Sequence, residues 1–370
     1  MPDTRPVLVA AGGTGGHLFP AEALAHALKA RGVAVELVTD DRALKFGADF
    51  PARAIHQVAS ATPTGGGIAS KALAALTLGR GTLSALSLIK RINPRCVVGF
   101  GGYPTVPPLL AATALKIPTV LHEQNAVMGR ANKFLAARVN AIATGFATLG
   151  GVRAAIVDKA RHTGNPVRPA VLAAAKIPYP SFADGKLRLL VTGGSQGARV
   201  MSDVVPAALD LLGPELRARI LLVQQARGED EVRVKEIYGR LGFPAEVAPF
   251  FTDLPARMAQ SHLIVARAGA STVSELAVIG RPSVLVPFPH ALDQDQAANA
   301  AHLEATGAAL VVPQPQFTAN WLCEQLKAAL NDPSDLTKRA EAAREAGIAD
   351  AAERLAGLVL ETSSPIIAEK

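Results

Sequence analysis

Aromatic residues are scarce in this chain of 370 residues, at 4%, with one Trp and three Tyr. Platforms that stack single-stranded nucleic acid need aromatic faces, so the composition argues against them. Cysteine is nearly absent: Cys96 and Cys323 lie far apart, with no CxxC pair and no Cys/His cluster. A structural zinc site is thereby disfavoured and a reducing compartment expected. Long apolar runs are missing too. The run that starts at Val7 ends in glycines, short of a signal sequence or a membrane span. The longer stretch Ile68 to Ile89 is interrupted by Lys71, Arg80 and glycines. What the chain does have is apolar mass and positive charge. Hydrophobic residues make up 49% and charged residues 19%, enough for a large core and incompatible with global disorder. The length suits two domains of roughly 150–190 residues. A net charge of +7 and a pI near 9.6 favour an acidic partner: nucleic acid, anionic lipid or a phosphorylated substrate. The Lys and Arg are scattered, which makes nucleic acid the weakest of these. The expectation is a soluble, cytoplasmic, two-domain protein.

Short β-rich runs alternate with Ala/Leu-rich stretches, the pattern of parallel sheets with crossover helices. Strands are expected at Pro6–Ala11, Val33–Thr39, Arg53–Val58, Cys96–Phe100, Thr119–His122 and Ala141–Thr144. The second half repeats the scheme at Leu187–Thr192, Ile220–Gln224, Ala245–Pro249, Leu263–Ala266, Ser283–Pro287 and Ala309–Val312. Val7–His17 (VLVAAGGTGGH) and Leu189–Arg199 (LLVTGGSQGAR) echo each other as strand, small-residue loop and helix. Between the halves, Pro166–Lys186 is proline-rich and reads as a linker. After Asn331 the pattern is purely helical, so this tail must pack on an existing domain.

A glycine turn between strand and helix lets backbone N–H groups converge on an anion, assisted by the helix dipole. Gly12–Gly16, Gly99–Gly102 and Gly193–Gly197 have this form. None has the dinucleotide spacing and no Walker A sequence is present. Each alone could simply permit close helix–strand packing; together they point to phosphate or nucleotide binding. Asp40 and Asp41, at a strand end, could hold a ribose or cap a helix, and the cap is preferred. His17, at a helix start, suits a general base because the dipole favours a neutral imidazole, but it is equally a capping or packing histidine. His122-Glu123-Gln124-Asn125 ends a strand, at the carboxyl edge where open α/β folds bind ligands. Thr272-Val273-Ser274-Glu275 fits a capping box, while Glu275 is also placed to take the hydroxyls of a ribose. Asp293-Gln294-Asp295-Gln296 with Asn299 brings amides to another helix start. Ile68–Arg91 reads as two short helices split by Gly79-Arg80-Gly81. Leu73, Leu76, Leu83, Leu86 and Ile89 sit at helical spacing, fringed by Lys71, Arg80, Lys90 and Arg91. That stretch suits core packing or an anionic membrane surface.

These segments resemble the MurG family, the bacterial N-acetylglucosaminyltransferases of peptidoglycan synthesis. The resemblance is carried in order by GGTGGH ending at His17, GFGGY ending at Tyr103 and His122–Asn125. It continues through Thr163–Arg168 (TGNPVR), Gly193–Arg199 (GGSQGAR), Ala268–Glu275 (AGASTVSE) and Asp293–Gln296 with Asn299. It implies an α/β GT-B fold: two Rossmann-like domains with parallel sheets facing across a cleft, the C-terminal helix crossing back to the first domain. Residues 1–167, with a helix at about 348–365, would form the acceptor and membrane-facing domain, and 168–347 the UDP-GlcNAc domain. The implied reaction passes GlcNAc from UDP-GlcNAc to the MurNAc 4-hydroxyl of undecaprenyl-diphosphate-MurNAc-pentapeptide (lipid I), giving lipid II with inversion.

By the same resemblance His17 is the catalytic base, and no metal or cofactor is called for. The donor would meet Thr14, Gly15, Gly16 and Asn125 from the first domain and Arg168 at the junction. In the second, Ser195 would lie near the diphosphate, the Phe251 backbone at the uracil and Ala270, Ser271, Thr272, Val273, Ser274 and Glu275 around the nucleotide. Glu275 would take the ribose hydroxyls and Gln296 the sugar hydroxyls. The implied location is peripheral, on the cytoplasmic side of the bacterial inner membrane. Anionic lipids and wall-synthesis or division proteins are conceivable partners, and nucleic acid is not one. Two positions depart from the family: Ala268 replaces a frequent Ser after the arginine, and Asp295 stands where relatives have His or Gln. A UDP-GlcNAc 2-epimerase, a nucleotide-sugar sensor and, distantly, an NAD-dependent dehydrogenase remain as alternatives.

Overall fold

Nearly continuous apolar runs give strands buried on both faces, as parallel sheets require. The computed structural model describes residues 3–12, 15–40, 50–60, 68–194, 197–291 and 294–364, with the backbone alone for 68–71. It divides into two units, residues 1–168 with 349–370, and residues 169–348. In the first unit the order is β1 (Val7–Ala10), α1 (Gly15–Ala30), β2 (Val35–Thr39), β3 (Ala54–Gln57), α2 (Ile68–Ile92), β4 (Cys96–Gly99), α3 (Val106–Ala114), β5 (Thr119–Glu123), α4 (Arg130–Ala136), β6 (Ala141–Thr144), α5 (Ala154–Val157) and β7 (Ala160–His162). The second unit runs α6 (Pro169–Ala174), β8 (Leu187–Thr192), α7 (Arg199–Leu211), α8 (Gly213–Arg217), β9 (Ile220–Gln225), α9 (Gly228–Arg240), β10 (Ala245–Ala248), α10 (Leu254–Ala259), β11 (Leu263–Ala266), α11 (Ala270–Ile279), β12 (Ser283–Leu285), α12 (Asp295–Ala305), β13 (Ala309–Val311), α13 (Ala319–Asn331) and α14 (Pro333–Ala346). The final helix, α15 (Ala351–Ser363), belongs to the first unit.

Both sheets are parallel and share one winding. The 7-stranded sheet has the order β3-β2-β1-β4-β5-β6-β7, and the 6-stranded sheet β10-β9-β8-β11-β12-β13. The order reverses between β1 and β4 and again between β8 and β11, and ligands of such folds bind beyond the carboxyl ends of those strands. The first sheet is covered on both faces. Leu18, Leu24 and Leu28 of α1 and Leu355 and Val359 of α15 fill one core, while Ile89, Leu109 and Leu135 join the other. An Arg31–Glu353 pair at 2.6 Å ties α15 to the end of α1. In the second unit, Leu189, Val191, Met201, Leu209 and Leu326 lie in one cluster.

The expected break in Ile68–Arg91 does not occur: α2 is one helix across both glycines. Gly79 faces open space, whereas a Cβ on Gly81 would fall 2.2 Å from the Ala59 carbonyl oxygen and 3.2 Å from Pro107. Gly81 is therefore a point of close approach, not a helix stop. The leucines divide between surface and core. Leu73, Leu76 and Leu83 lie exposed along one stripe, while Leu88 and Ile89 are buried on the opposite side. Ala72–Ile92 is long and apolar enough, by length and composition, to cross a membrane. As the crossover from β3 to β4, packed on α3, it gives Ala85, Leu88 and Ile89 to the sheet's core while much of its length stays exposed.

Candidate active site

In the first unit, loops after β1, β4 and β5 meet beside the switch point. Gly12 lies so close to Asp40 that a Cβ there would come 3.0 Å from its Oδ1. His17 stands in the first turn of α1, half-buried, with its ring over the β4–α3 loop. Cβ atoms on Gly101 and Gly102 would lie 3.4 and 3.5 Å from that ring, and both glycines have positive φ, 81° and 73°. Only glycine gives this turn without strain. Burial lowers the His17 pKa, while a hydrogen bond with the Gly12 backbone and the Asp40 charge work against that fall. The result is a predominantly neutral imidazole at a helix N-terminus, the state a base needs.

The β5 loop is organised by Glu123, buried to 1%. Its Oε1 accepts from the Asn125 backbone N–H at 2.9 Å and the Asn125 amide at 3.4 Å. Its Oε2 accepts from the Gly129 N–H at 2.9 Å and the Asn132 amide at 2.7 Å. Asn132 also packs against Gly101, since a Cβ there would sit 3.2 Å from its Nδ2. Glu123 thus connects the Asn125 loop to the turn that supports His17. Burial raises its pKa, and all four donors oppose that rise. Gln124 donates to the Phe100 carbonyl at 2.8 Å, and Asn165 to the Gln124 carbonyl at 2.8 Å, locking neighbouring strand ends together. Arg168 lies over the Phe19 ring at 4.0 Å, and Phe19 packs under Gly15.

In the second unit the glycine loop follows β8. A Cβ on Gly193 would come 2.2 Å from the Ala198 nitrogen, and one on Gly197 2.6 Å from Arg227 Cγ. The Phe251 ring is buried under the Arg257 guanidinium at 4.4 Å. The capping-box reading fails: α11 starts at Ala270 with Gly269 as N-cap, so Thr272 and Glu275 lie inside the helix. Glu275 is 6% exposed, in the second turn, and Ser271, Thr272 and Ser274 are half-buried. Val273 is core, its N–H bonded to the Gly269 carbonyl at 3.0 Å. Gln296 accepts from the Phe288 N–H at 2.9 Å, leaving its amide N–H groups for other acceptors. Asp295 Oδ1 accepts from the Gln296 N–H at 2.8 Å, occupying the residue that departs from the family pattern.

Thr14, Ser195, Asp41 and Asp293 lie outside the described residues. Of the other sequence-derived candidates, His17, Gly15, Gly16 and Asn125 gather at the carboxyl edge of the first sheet, with Arg168 packed on α1. Phe251, Ala270–Glu275 and Gln296 gather at that of the second. Sequence reasoning named Glu123 and Asn299 within its motifs without seeing that they hold these loops, and it gave Arg267 no role. Arg267 donates to the carbonyls of Val286 and Pro287 at 3.0 and 3.2 Å and to Gln314 at 2.6 Å. Asn299 donates to the Ala268 carbonyl at 3.2 Å. Arg267 precedes the recognised donor motif, but its partners come from strands whose order the sequence does not reveal.

Two parallel sheets of this order, each with a glycine loop at its switch point, are the framework of a GT-B glycosyltransferase. Residues 7–144 match the glycosyltransferase family 28 N-terminal domain and residues 188–355 its C-terminal domain, and the chain belongs to that family. It is 60% identical over 367 residues, 98% of each chain, to the UDP-N-acetylglucosamine--N-acetylmuramyl-(pentapeptide) pyrophosphoryl-undecaprenol N-acetylglucosamine transferase of Methylobacterium radiotolerans. The protein of the same name from Methylorubrum extorquens is 59% identical over 363 residues, again 98% of each chain. Among solved structures, Acinetobacter baumannii MurG is similar with a TM-score of 0.77 and 29% identity, over 96% of this chain and 99% of that one.

Proposed function

We propose that this glycosyltransferase transfers GlcNAc from UDP-GlcNAc to the MurNAc 4-hydroxyl of lipid I, forming lipid II with inversion at the anomeric carbon. The observation that carries the reading is near-full-length identity of 60% to a transferase named for these substrates. The chemistry of the site supports it. His17, kept neutral by burial, takes the proton of the acceptor hydroxyl as that oxygen bonds to the anomeric carbon and UDP departs. Backbone N–H groups at the glycine loops offset the charge that develops on the leaving diphosphate. The donor lies in the second unit: Ser195 at the diphosphate, the Phe251 backbone at uracil, Ala270–Glu275 around the nucleotide, Glu275 on the ribose and Gln296 on the sugar. Thr14, Gly15, Gly16, Asn125 and Arg168 complete the donor contacts, and the first-unit loops take the acceptor diphosphate.

The acceptor is a lipid, and α2 is where the protein meets the cytoplasmic face of the membrane. Its exposed Leu73, Leu76 and Leu83 have the exposed cations Arg80, Lys90 and Arg91 around them, a combination that suits an anionic surface. Leu76→Glu/Leu83→Glu should retain the fold and lose co-sedimentation with anionic vesicles; undiminished binding would reject this surface.

The reading is tested by following labelled GlcNAc from UDP-GlcNAc to a lipid I analogue with wild type, His17→Ala and Glu275→Ala. Wild-type transfer, weakened donor binding in Glu275→Ala and bound but unreacted donor in His17→Ala are expected. A competent wild type that binds UDP-GlcNAc and transfers nothing would overturn it.

A further inference from the structure

One buried amide in the second unit uses its whole hydrogen-bonding capacity on the backbone and side chains around the glycine loop. Gln225, the last residue of β9, is 5% exposed. Its Oε1 accepts from Thr192 Oγ1 at 2.8 Å and from the Gly193 N–H at 3.0 Å. Its Nε2 donates to the Gly194 carbonyl at 3.0 Å and the Pro249 carbonyl at 3.1 Å. A carboxamide offers two acceptor lone pairs and two N–H donors, so every one is engaged. The partners come from two places. Thr192, Gly193 and Gly194 are the end of β8 and the start of the glycine loop. Pro249 follows β10 and lies two residues before Phe251.

We propose that Gln225 is a positioning residue for the donor site: it fixes the backbone of the glycine loop and sets its distance from the segment leading to Phe251. This rests on the reading that the second unit binds the nucleotide sugar, with the diphosphate at Ser195 and uracil at Phe251. The first two residues of the loop, both glycines, have no side chains to pack. Gly193 has no room for a Cβ, and Gly194 turns at φ +82° with open space around it. Its first residues are therefore held by the Gln225 amide, helped by a long 3.4 Å bond from the Gly194 N–H to Thr192 Oγ1. No other side chain reproduces the arrangement. Glutamate would set a carboxylate oxygen against the Gly194 and Pro249 carbonyls, leucine would take their partner from Thr192 Oγ1, the Gly193 N–H and both carbonyls, and asparagine is one methylene too short. Gln225 touches neither substrate; it acts through where the loop N–H groups point.

The test is steady-state kinetics and UDP inhibition of full-length Gln225→Glu, Gln225→Leu and Thr192→Val, with Ser195→Ala and Glu275→Ala as reference variants and melting curves throughout. The expected result is a rise of about tenfold to a hundredfold in donor KM and in the UDP inhibition constant for the Gln225 variants. Lipid-acceptor KM stays within about twofold and kcat changes less than donor KM. Thr192→Val, which removes a hydroxyl and keeps the shape, shows a smaller rise of the same kind and carries the test should the Gln225 variants not fold. A purely structural amide would lower the melting temperature and the active fraction and leave both KM values alone, and that result overturns the proposal. If Ser195→Ala and Glu275→Ala raise donor KM while the Gln225 and Thr192 variants do not, only the role of Gln225 falls. If the reference variants also leave donor KM unchanged, the assignment of the donor to this unit falls, and the proposal with it.

Discussion

His17 and Glu123 show how burial is used differently by two titratable side chains at one strand-end cluster. An imidazole loses its proton more readily when desolvated, so the His17 base remains available below its ordinary value of 6.5. The acid limb of kcat/KM assigned to this group should accordingly fall below pH 6.5, with activity flat above it until another group titrates. His17→Ala should lower kcat by about 10²–10⁴-fold while donor affinity is retained; a variant with the wild-type acid limb would remove His17 from the reaction. Glu123 works through geometry instead. Its carboxylate meets only donors, from Asn125, Gly129 and Asn132. In Glu123→Gln one amide N–H₂ must face a donor, which should cost about 1–3 kcal/mol of stability. Because Asn132 also lies against the turn under His17, kcat should drop as well. Urea unfolding and kinetics of the same preparation check both effects.

At the scale of elements, α2 gives a contrast between two glycines in one helix. Gly79 faces open space, so Gly79→Ala should stabilise the protein by up to about 1 kcal/mol through helix propensity. Gly81 meets the Ala59 carbonyl, so Gly81→Ala should destabilise it by about 1–3 kcal/mol. Opposite shifts of the denaturation midpoint would establish that α2 is continuous and closely packed in solution; two equal stabilisations would contradict the packing. The same helix marks a boundary of what sequence reveals. Its apolar periodicity was legible, but whether a glycine breaks a helix or admits a neighbour depends on a segment brought there by the fold. Thr272-Val273-Ser274-Glu275 has the spelling of a capping box, yet the chain enters α11 at Gly269, because the loop after β11 turns there. Strands buried on both faces were legible as apolar runs, and β1, β8 and β11 stand out for that reason. The edge strand β7, Ala-Arg-His, carries no such run and gave no signal. The motif residues of the site could be read, whereas Gln225 and Arg267 act across strands whose neighbours only the sheet order defines.

Over the whole molecule, each unit keeps a fully buried histidine neutral, His122 in the first beside the half-buried His17, and this links overall stability to pH. His122 is fully buried, packed 5.2 Å from the Phe100 ring, with Nε2 3.4 Å from the Gly164 carbonyl. In the second unit His262 stacks 3.6 Å from Phe182 and accepts the Arg188 N–H at Nδ1. Desolvation pushes both from 6.5 down to about 4. Between those values the unfolded chain binds the proton and the folded chain does not, so folding is opposed as pH falls. Stability tied to these groups is fully present above pH 6.5 and drains away through the window down to about 4. For His122 the slope reaches about 1.4 kcal/mol per pH unit, roughly 3 kcal/mol in all. Glu123 runs the other way: its raised pKa favours the folded state at low pH and loses that contribution as pH rises through its folded value. The wild-type curve therefore sums opposing terms, and the informative quantity is a difference. His122→Gln keeps an N–H donor for the Gly164 carbonyl and removes the titration. Urea unfolding at intervals from pH 7 to 4 should show the variant weaker than wild type at pH 7 and progressively less so toward pH 4. A constant gap across that range would mean that His122 does not remain neutral in the folded chain.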